Sequence, residues 1–204
     1  MTSRSTESVG ALGFRARLAL NRARSWLGVP LRCDPRGGTD RSSPDDSLEL
    51  SVAGKPVLVC YGRPSVRGRT VFGDAVPWGE LWRTGANEPT VLHLPFAASV
   101  AGLRVSRGKY SIYTVPSPET WTLVLNRSTR QWGLTRPERG PRGNLFPSAY
   151  TPWVRAAEVG RAFVEARVIS HVEQLTIRAE VVDALTTDLL IEWERTQVRV
   201  PIRR

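Results

Sequence analysis

The chain has 204 residues, of which 41% are hydrophobic, so it is long and apolar enough for one globular domain and is not disordered throughout. Its formal charge of +10 comes from 27 Arg and 2 Lys against 19 acidic residues. The arginines are spread along the chain without a helix-turn-helix, zinc-finger or RNA-binding signature, so we expect no nucleic-acid partner. With two His, two Cys and no CxxC pair, the sequence predicts no metal site, and it indicates no cofactor.

Residues 1–47 predict a basic leader and a flexible linker. Over residues 10–27, apolar residues recur every three or four positions and the arginines lie mostly on the other side, which predicts an amphipathic helix. Such a helix can lie on an anionic membrane, so peripheral membrane contact is one expectation, and a solvated or frayed leader is the alternative. No secretion signal is recognisable, and we expect a location in the cytoplasm or peripheral to the inner membrane.

From residue 48 to residue 204 the pattern changes to short strands bounded by Gly, Pro, Ser or Asn. VSRGKY supplies the glycine turn of a hairpin between two of these strands. Thr151 followed by Pro152 predicts the start of one short helix, TPWVRAAEVGRAF. We therefore predict a single all-β, mainly antiparallel domain, a sandwich or a barrel. The predicted strands are LELSV, PVLVCY, TVLHL, SVAGLRV, KYSIYTV, WTLVLN, FVEARVI, EQLTIRAEVV, DLLIEWE and QVRVPI.

The two cysteines stand in different contexts. Cys33 belongs to the predicted linker, and Cys60 lies in the apolar run PVLVCY. An unpaired thiol and a small buried hydrophobic residue are favoured over a disulfide between them.

Three segments are rich in polar and aromatic residues, and the first is CYGRPSVRGRTVFG. It places Arg63, Ser65 and Arg69 in a loop shaped by Pro64 and Gly68. Closely spaced guanidinium groups can clamp a carboxylate or a phosphate. Solvated surface arginines are the alternative, and they are favoured.

The second segment is VPWGELWRTGANEPT. In a functional interpretation, Trp78 or Trp82 forms an apolar platform for a polar ligand. Arg83 and Asn87 orient this ligand, and Glu88 accepts a hydrogen bond from it. In a structural interpretation, Thr84 and Asn87 satisfy backbone groups in a turn, Arg83 pairs with Glu88, and the tryptophans fill the core. The residues alone do not decide between the two.

The third segment, LNRSTRQWG, brings Gln131 and Trp132 after the strand WTLVLN. An amide beside an indole can bind a ligand, but closing a turn is favoured.

The sequence contains few residues in patterns typical of catalytic sites, because no GxSxG elbow is present and neither His has a motif around it. A hydrolase or lyase that uses Glu88 as acid or base, with Arg83 or Tyr113 as stabiliser, is the alternative to a binding protein.

Three blocks together resemble the bacterial family of domains of unknown function numbered 2911, over about residues 48–202. The blocks are YGRPSVRGRTVFGDAVPWGELWRTGANEPT, VAGLRVSRGKYSIYTVPSPETWTLVLNRSTRQWG and LLIEWERTQVRVPI. The resemblance implies a mostly antiparallel β fold and no particular activity, because a fold does not supply a reaction. It also implies that the following residues occupy family-motif positions: Arg63, Ser65, Arg69, Arg83, Thr84, Asn87, Glu88, Gln131, Trp132 and Trp193.

Our leading functional expectation is a β domain that binds a small polar ligand, anionic or sugar-like. The ligand is expected in a groove lined by the WRTGANE, RPSVRGR and QWG segments, with Arg63 and Arg83 supplying charge. Asn87 and Glu88 would fix its orientation, and a tryptophan would stack on it. A binding protein is favoured over the enzyme, and a structural or envelope-associated module tethered by the leader is the third possibility. The sequence determines neither the ligand nor the oligomeric state.

Overall fold

The structure is a computed structural model that describes residues 31–34, 42–135, 137–139, 145–146 and 148–204. The predicted leader helix at residues 10–27 lies outside the described residues. The described strands and helix are β1 Asp45–Val52, β2 Lys55–Gly62, β3 Thr90–Leu94, β4 Ala98–Val100, β5 Leu103–Val105, β6 Gly108–Val115, β7 Thr120–Asn126, β8 Glu138–Arg139, β9 Leu145–Phe146, α1 Pro152–Arg155, β10 Glu158–Val181 and β11 Thr186–Arg203.

Nine strands form one antiparallel sheet in the order β1-β2-β3-β6-β7-β10-β11-β4-β5. The long strand β10 joins the two halves of this sheet, because residues 158–165 pair with β7 and residues 166–181 pair with β11. Between Val168 and Thr176 its register to β11 shifts twice, and irregularities of this kind bend a strand. The prediction of an all-β, mainly antiparallel domain is confirmed.

The hydrophobic core lies between the two halves of the sheet. Leu92 of β3, Ile112 of β6 and Leu123 of β7 belong to the same buried cluster as Leu189 of β11 and Val100 of β4. Because both halves contribute to one cluster, the sheet folds over itself into two packed layers. Burying a side chain of this size contributes roughly 1.5–3 kcal/mol to folding, so this cluster is the main source of stability.

Four aromatic residues form one packed group within the core. The ring of Phe72 lies edge-on to Trp121, Trp82 and Trp193, with centroid distances of 4.8, 5.8 and 5.9 Å. Trp82 also stacks on Trp193 at 5.7 Å and is only 8% exposed. For Trp82, the structure therefore agrees with the interpretation in which the tryptophans of this segment fill the core.

Two local predictions need correction. α1 has four residues, and although Thr151 caps it by accepting from the backbone N of Val154 (3.4 Å), EVGRAF continues as strand β10. Pairing with β7 satisfies the hydrogen bonds of the backbone there, so tertiary contacts override a weak helical preference.

The segment VSRGKY does not close a hairpin, because β5 pairs with β4 whereas β6 pairs with β3 and β7. It carries the chain from one half of the sheet to the other.

The face of β10 and β11 that points away from the core carries the carboxylate of Glu192, to which neighbouring side chains donate hydrogen bonds. Glu192 is 5% exposed and accepts hydrogen bonds from Arg178 (2.9 Å) and from Gln197. Burial by itself would raise the pKa of Glu192, but these hydrogen bonds and the charge of Arg178 outweigh it, so its pKa lies below its ordinary value.

The described chain contains no helix of the length and apolarity needed to cross a bilayer. The Arg-rich loop after the QWG segment includes a short ladder in which β8 pairs with β9. β1 begins at Asp45, three positions before the predicted domain boundary at Leu48.

Candidate functional site

The face of β2 and β3 that points away from the core forms the floor of a cleft. Along β2 and β3, alternate residues enter the core, so Cys60, Val91 and His93 point to the opposite face. The strand register places Cys60 opposite Val91 and Val91 opposite Ser111. His93 stands opposite Lys109. Period-two alternation thus brings these polar side chains together.

Three separate parts of the chain build the walls above this floor. They are the segment 31–34 that precedes the sheet, the WRTGANE segment 82–88, and the turn that follows β7. The cleft between them has a volume of about 370 Å³. It is lined by Asp34, Cys60, Glu88, Val91, His93, Thr129 and Arg130.

The WRTGANE segment is held in place by buried hydrogen bonds. The indole Nε1 of Trp82 donates to the carbonyl of Gly85 (3.2 Å), and the Thr90 hydroxyl donates to the carbonyl of Thr84 (2.5 Å). The hydroxyls of Thr84 and Thr114 are 3.0 Å apart. Thr84 has φ 54, a left-handed conformation that is unfavourable for a β-branched residue, so the surrounding bonds must enforce it. Glu88 therefore projects from a rigid support.

The WRTGANE and QWG segments contact each other directly. Arg83 Nη1 donates to the carbonyl of Gly133 (3.2 Å), and the backbone N of Gly133 donates to the carbonyl of Asn87 (3.2 Å). Gln131 Nε2 donates to the carbonyl of Ser128 (3.0 Å) and so closes its own turn. Arg83 and Asn87 thus hold two walls of the cleft against one another, whereas Gln131 acts within its own turn.

Charged groups surround the entrance from the 31–34 side. Asp34 forms an ion pair with Lys109, with 2.9 Å between Oδ1 and Nζ. Burial alone would raise the pKa of Asp34, but the hydrogen bond and charge of Lys109, helped by Arg130 and His93, hold it below its ordinary value. His93 is 3% exposed, and its Nε2 lies 3.6 Å from Sγ of Cys60.

The expectation of unpaired cysteines is wrong. Cys33 and Cys60 form a disulfide, and their Cα atoms are 5.7 Å apart. They are separated by 27 positions in sequence, and they meet because residues 31–34 lie over the outer face of β2. Local sequence context does not report such a contact.

The RPSVRGR segment does not reach the cleft. Arg63 donates to the carbonyl of Leu175 (3.0 Å) and to Thr176 (3.1 Å) of β10, and it forms an ion pair with Asp46 (3.2 Å). Arg69 donates to the carbonyls of Val66 (3.0 Å) and Ser65 (2.8 Å) within its own loop. Ser65 forms a β-bridge with Gln174. The predicted grouping of three segments around one groove is reduced to two.

The remaining predicted residues differ in their burial. Trp82 and Thr84 are buried, and so is Tyr113, which packs edge-on against Tyr150 at 4.9 Å. Burial raises the pKa of the Tyr113 hydroxyl well above its ordinary value. Trp132 is 60% exposed at the surface. Among the predicted ligand-binding residues, Glu88 is the one that lines the cleft.

Sequence reasoning missed most of the residues that line this cleft. The alternation of TVLHL with its two buried leucines assigns Val91 and His93 to one face, and the same rule assigns Cys60, so part of the floor was detectable. Asp34, Thr129 and Arg130 lie in irregular segments without periodicity. No sequence signal places those three residues beside the sheet.

A family model described as a protein of unknown function (DUF2911) matches residues 43–202, which is most of the chain. The chain belongs to this family. The resemblance noted from the three sequence blocks is thereby confirmed. Within the DUF2911 match lie Glu88, His93 and Arg130, whereas Cys33 and Asp34 precede it. No curated protein and no solved structure matches the chain.

The chemistry of the cleft follows from its side chains. In the described part of the chain, no group of three or more His, Cys, Asp or Glu residues is arranged to hold a metal ion, and Cys60 is oxidised in the disulfide. The carboxylates of Glu88 and Asp34 accept hydrogen bonds, and the guanidinium of Arg130 donates them. The arrangement is suited to holding a polar molecule that has both donors and an anionic group.

Proposed function

We propose that the protein binds a small polar ligand, anionic or sugar-like, in the cleft between Glu88, His93 and Arg130. The observation that carries this proposal is the convergence of ionisable side chains from three distant parts of the chain on one cleft of about 370 Å³. They are Asp34, the neighbouring Glu88 and His93, and Arg130. A volume of this size falls in the range of ligand sites, which are mostly apolar with a few placed polar groups. Val91 and the Cys33–Cys60 disulfide supply the less polar surface.

In this proposal each polar residue has a defined role. Arg130 lies on the turn after β7 and provides a planar fork for a carboxylate or phosphate. Glu88 accepts hydrogen bonds from hydroxyl or amine groups, and the backbone that carries it is fixed by the buried bonds around Thr84. His93 forms part of the floor, where its ring contacts the bound molecule. Rigid placement matters because ordering a loop on binding would cost affinity.

Titration calorimetry with glucuronate and glucose tests the proposal, because the two sugars differ in the carboxylate. We expect glucuronate to bind more tightly than glucose. Replacing Arg130 by Ala should weaken glucuronate binding about tenfold or more, since a charge-assisted hydrogen bond is lost. Arg127→Ala is the matched control, because Arg127 is an exposed arginine of the same turn and does not line the cleft.

Four results would contradict the proposal or one of its assignments. Equal affinity for the two sugars removes the anionic group from the proposal. Equal weakening by Arg130→Ala and Arg127→Ala shows that binding depends on overall charge and not on the cleft. An unchanged affinity in Glu88→Gln removes Glu88 from the ligand contacts. If neither glucuronate, glucose, citrate nor inorganic phosphate binds, the proposed function fails for this ligand class.

The enzyme alternative is supported by one specific observation, namely that Glu88 and His93 line the same cleft. A carboxylate and an imidazole that share a site can transfer a proton to and from a bound molecule. Chromogenic esters and glycosides provide the test. A hydrolase or lyase role requires turnover that Glu88→Gln abolishes while glucuronate affinity changes little; turnover that survives in Glu88→Gln contradicts it.

The remaining expectations are predictions without a structural test. They comprise the absence of a nucleic-acid partner, membrane contact through residues 10–27, and a tethered structural role in the cell envelope. The leader residues lie outside the described part of the chain.

A further inference from the structure

The disulfide fastens a separate segment of the chain to the outer face of the sheet. Cys33 belongs to residues 31–34, which form no helix or strand, and Cys60 is a buried residue of β2 with 1% exposure. Both Cys60 and Asp34, the neighbour of Cys33, line the cleft. The cross-link therefore lies at the cleft itself.

The residue after Cys33, Asp34, contacts the sheet as well. Its carboxylate reaches Lys109 of β6 at 2.9 Å, so the contacts of Cys33 and Asp34 join β2 to β6. The charges of Arg130 and His93 also act on Asp34. The side chains of Lys109 and Asp34 are 22% and 36% exposed, and ion pairs with that exposure are weak.

Ordering a chain segment costs conformational entropy at every residue. A single, partly exposed ion pair contributes less than the ordering of residues 31–34 costs. The covalent bond adds a strong constraint by keeping Cys33 within bonding distance of Cys60. Opening the disulfide should release the segment together with the wall of the cleft that Asp34 provides.

We propose that the Cys33–Cys60 disulfide is the positioning device that completes the cleft: it holds Asp34 against Lys109, and its reduction opens that side of the binding site. The expectation that reduction changes the affinity for a ligand rests on the proposed function. Cys33 and Asp34 precede the residues that the family model matches, whereas Cys60 and Lys109 lie within them.

Reduction is a balanced thiol–disulfide exchange. One molecule of dithiothreitol supplies two electrons and two protons; its two S–H bonds break and its own S–S bond forms. The protein S–S bond breaks, and Cys33 and Cys60 each gain an S–H bond. Re-oxidation needs an oxidant, such as a small-molecule disulfide, that accepts the same two electrons and two protons.

The two lysines of the chain provide a direct test that needs no ligand. Lys109 is engaged by Asp34, whereas Lys55 is exposed at the start of β2 and serves as an internal control. Oxidised protein, dithiothreitol-treated protein and Cys33→Ser are labelled with an amine-reactive N-hydroxysuccinimide ester, and the two sites are quantified by mass spectrometry. We expect reduction and Cys33→Ser to raise the labelling rate of Lys109 severalfold relative to Lys55. Circular dichroism verifies that the domain remains folded.

An unchanged ratio of Lys109 to Lys55 labelling would overturn the proposal, because the segment would then stay in place without the disulfide. A rise in both lysines together would also overturn it, since that result reports general unfolding. Asp34→Asn in the oxidised protein should raise the labelling of Lys109 without any change in redox state.

A comparison of glucuronate affinity between the oxidised and the reduced protein tests whether the disulfide contributes to ligand binding. We expect reduction to weaken binding about tenfold, through loss of one wall and its hydrogen-bonding groups. Equal affinities in both forms would show that Asp34 and the disulfide play no part in binding. Failure of the oxidised protein to bind glucuronate refutes the proposed ligand class, while lysine labelling still decides whether the disulfide holds the segment.

Discussion

Reducing the Cys33–Cys60 disulfide changes the stability of the domain by an amount that depends on whether residues 31–34 are released. A cross-link stabilises a protein mainly by lowering the conformational entropy of the unfolded chain, and the effect grows with the length of the closed loop. The separation of 27 residues corresponds to about 3.5 kcal/mol in the chain-entropy relation. That full value applies if the reduced native protein keeps the segment in place.

If reduction releases the segment, the native state also gains conformational freedom. The released chain is then attached at Ser42, nine positions after Cys33, because the carbonyls of residues 42–44 accept hydrogen bonds from the domain. In the same relation, tethering a chain of that length costs about 2.6 kcal/mol in the native state. The two contributions largely cancel, and the disulfide then stabilises the protein by only about 0.9 kcal/mol.

Urea unfolding of the oxidised and reduced protein, followed by circular dichroism, distinguishes the two cases. With a slope of about 2 kcal/mol per molar urea, the midpoint should fall by about 0.5 M if the segment is released. The fall should be about 1.7 M if the segment stays docked. Cys33→Ser, with and without dithiothreitol, is the control and should show no shift. A fall of about 1.5 M or more would refute release of the segment.

Further predictions concern the core, the ion pairs and the leader. Trp82→Ala should lower the free energy of unfolding by about 3–5 kcal/mol, because it leaves a cavity in the aromatic group. The 84% exposed Trp153 should tolerate Ala within about 0.5 kcal/mol. Urea unfolding measures both variants, and similar losses of stability would contradict the core position of Trp82. Glu192 has a lowered pKa, so it stabilises the fold above the unfolded-state value of about 4.3 and this contribution is lost as the pH falls through the folded-state value. Glu192→Gln should therefore show a smaller loss of stability between neutral and acidic pH than the wild type, and parallel profiles would refute this role. Replacing the arginines of residues 10–27 by Gln should reduce sedimentation with anionic liposomes if the leader contacts membranes, and unchanged sedimentation would exclude that contact.

The disulfide also bears on where the protein acts. Disulfides persist in oxidising compartments and are rare in the cytosol, where thiols are kept reduced. The expected location in the cytoplasm or at the inner membrane stays a prediction, and the Cys33–Cys60 bond weighs against its cytoplasmic form. Mass spectrometry of thiol-blocked protein taken directly from cells measures the oxidation state: a mass without blocking groups indicates a disulfide, and two blocked thiols indicate a reducing compartment.

Much of the fold was predictable from local pattern. Short runs rich in β-branched, aromatic and other apolar residues, such as TVLHL and WTLVLN, identified β3 and β7 without knowledge of their partners. The two-residue period of a strand assigned side chains to its two faces, but it did not show that β3 is buried on both. It did not predict that FVEARVI and EQLTIRAEVV belong to one bent strand, because the register shifts of β10 depend on its pairing with β11.

The candidate site was only partly predictable, for a related reason. The WRTGANE segment stood out by composition, yet the structure assigns Trp82 to the core and Arg83 to the contact with Gly133, and it leaves Glu88 at the cleft. The same polar and aromatic residue types occur in ligand contacts and in structural contacts, so residue type alone does not separate the two. Burial and hydrogen-bond partners distinguish the two, and they are properties of the folded chain.

By itself the sequence determined the location of most strand segments and the membership in DUF2911, because these depend on short-range periodicity and on the order of motifs along the chain. Only the tertiary structure decided which residues share the cleft. Cys33 and Cys60 are 27 positions apart, and Asp34 and Lys109 are still further apart in sequence. Contacts of that range arise when the sheet folds over its core and leaves its outer face open to the preceding segment, and no local pattern encodes them.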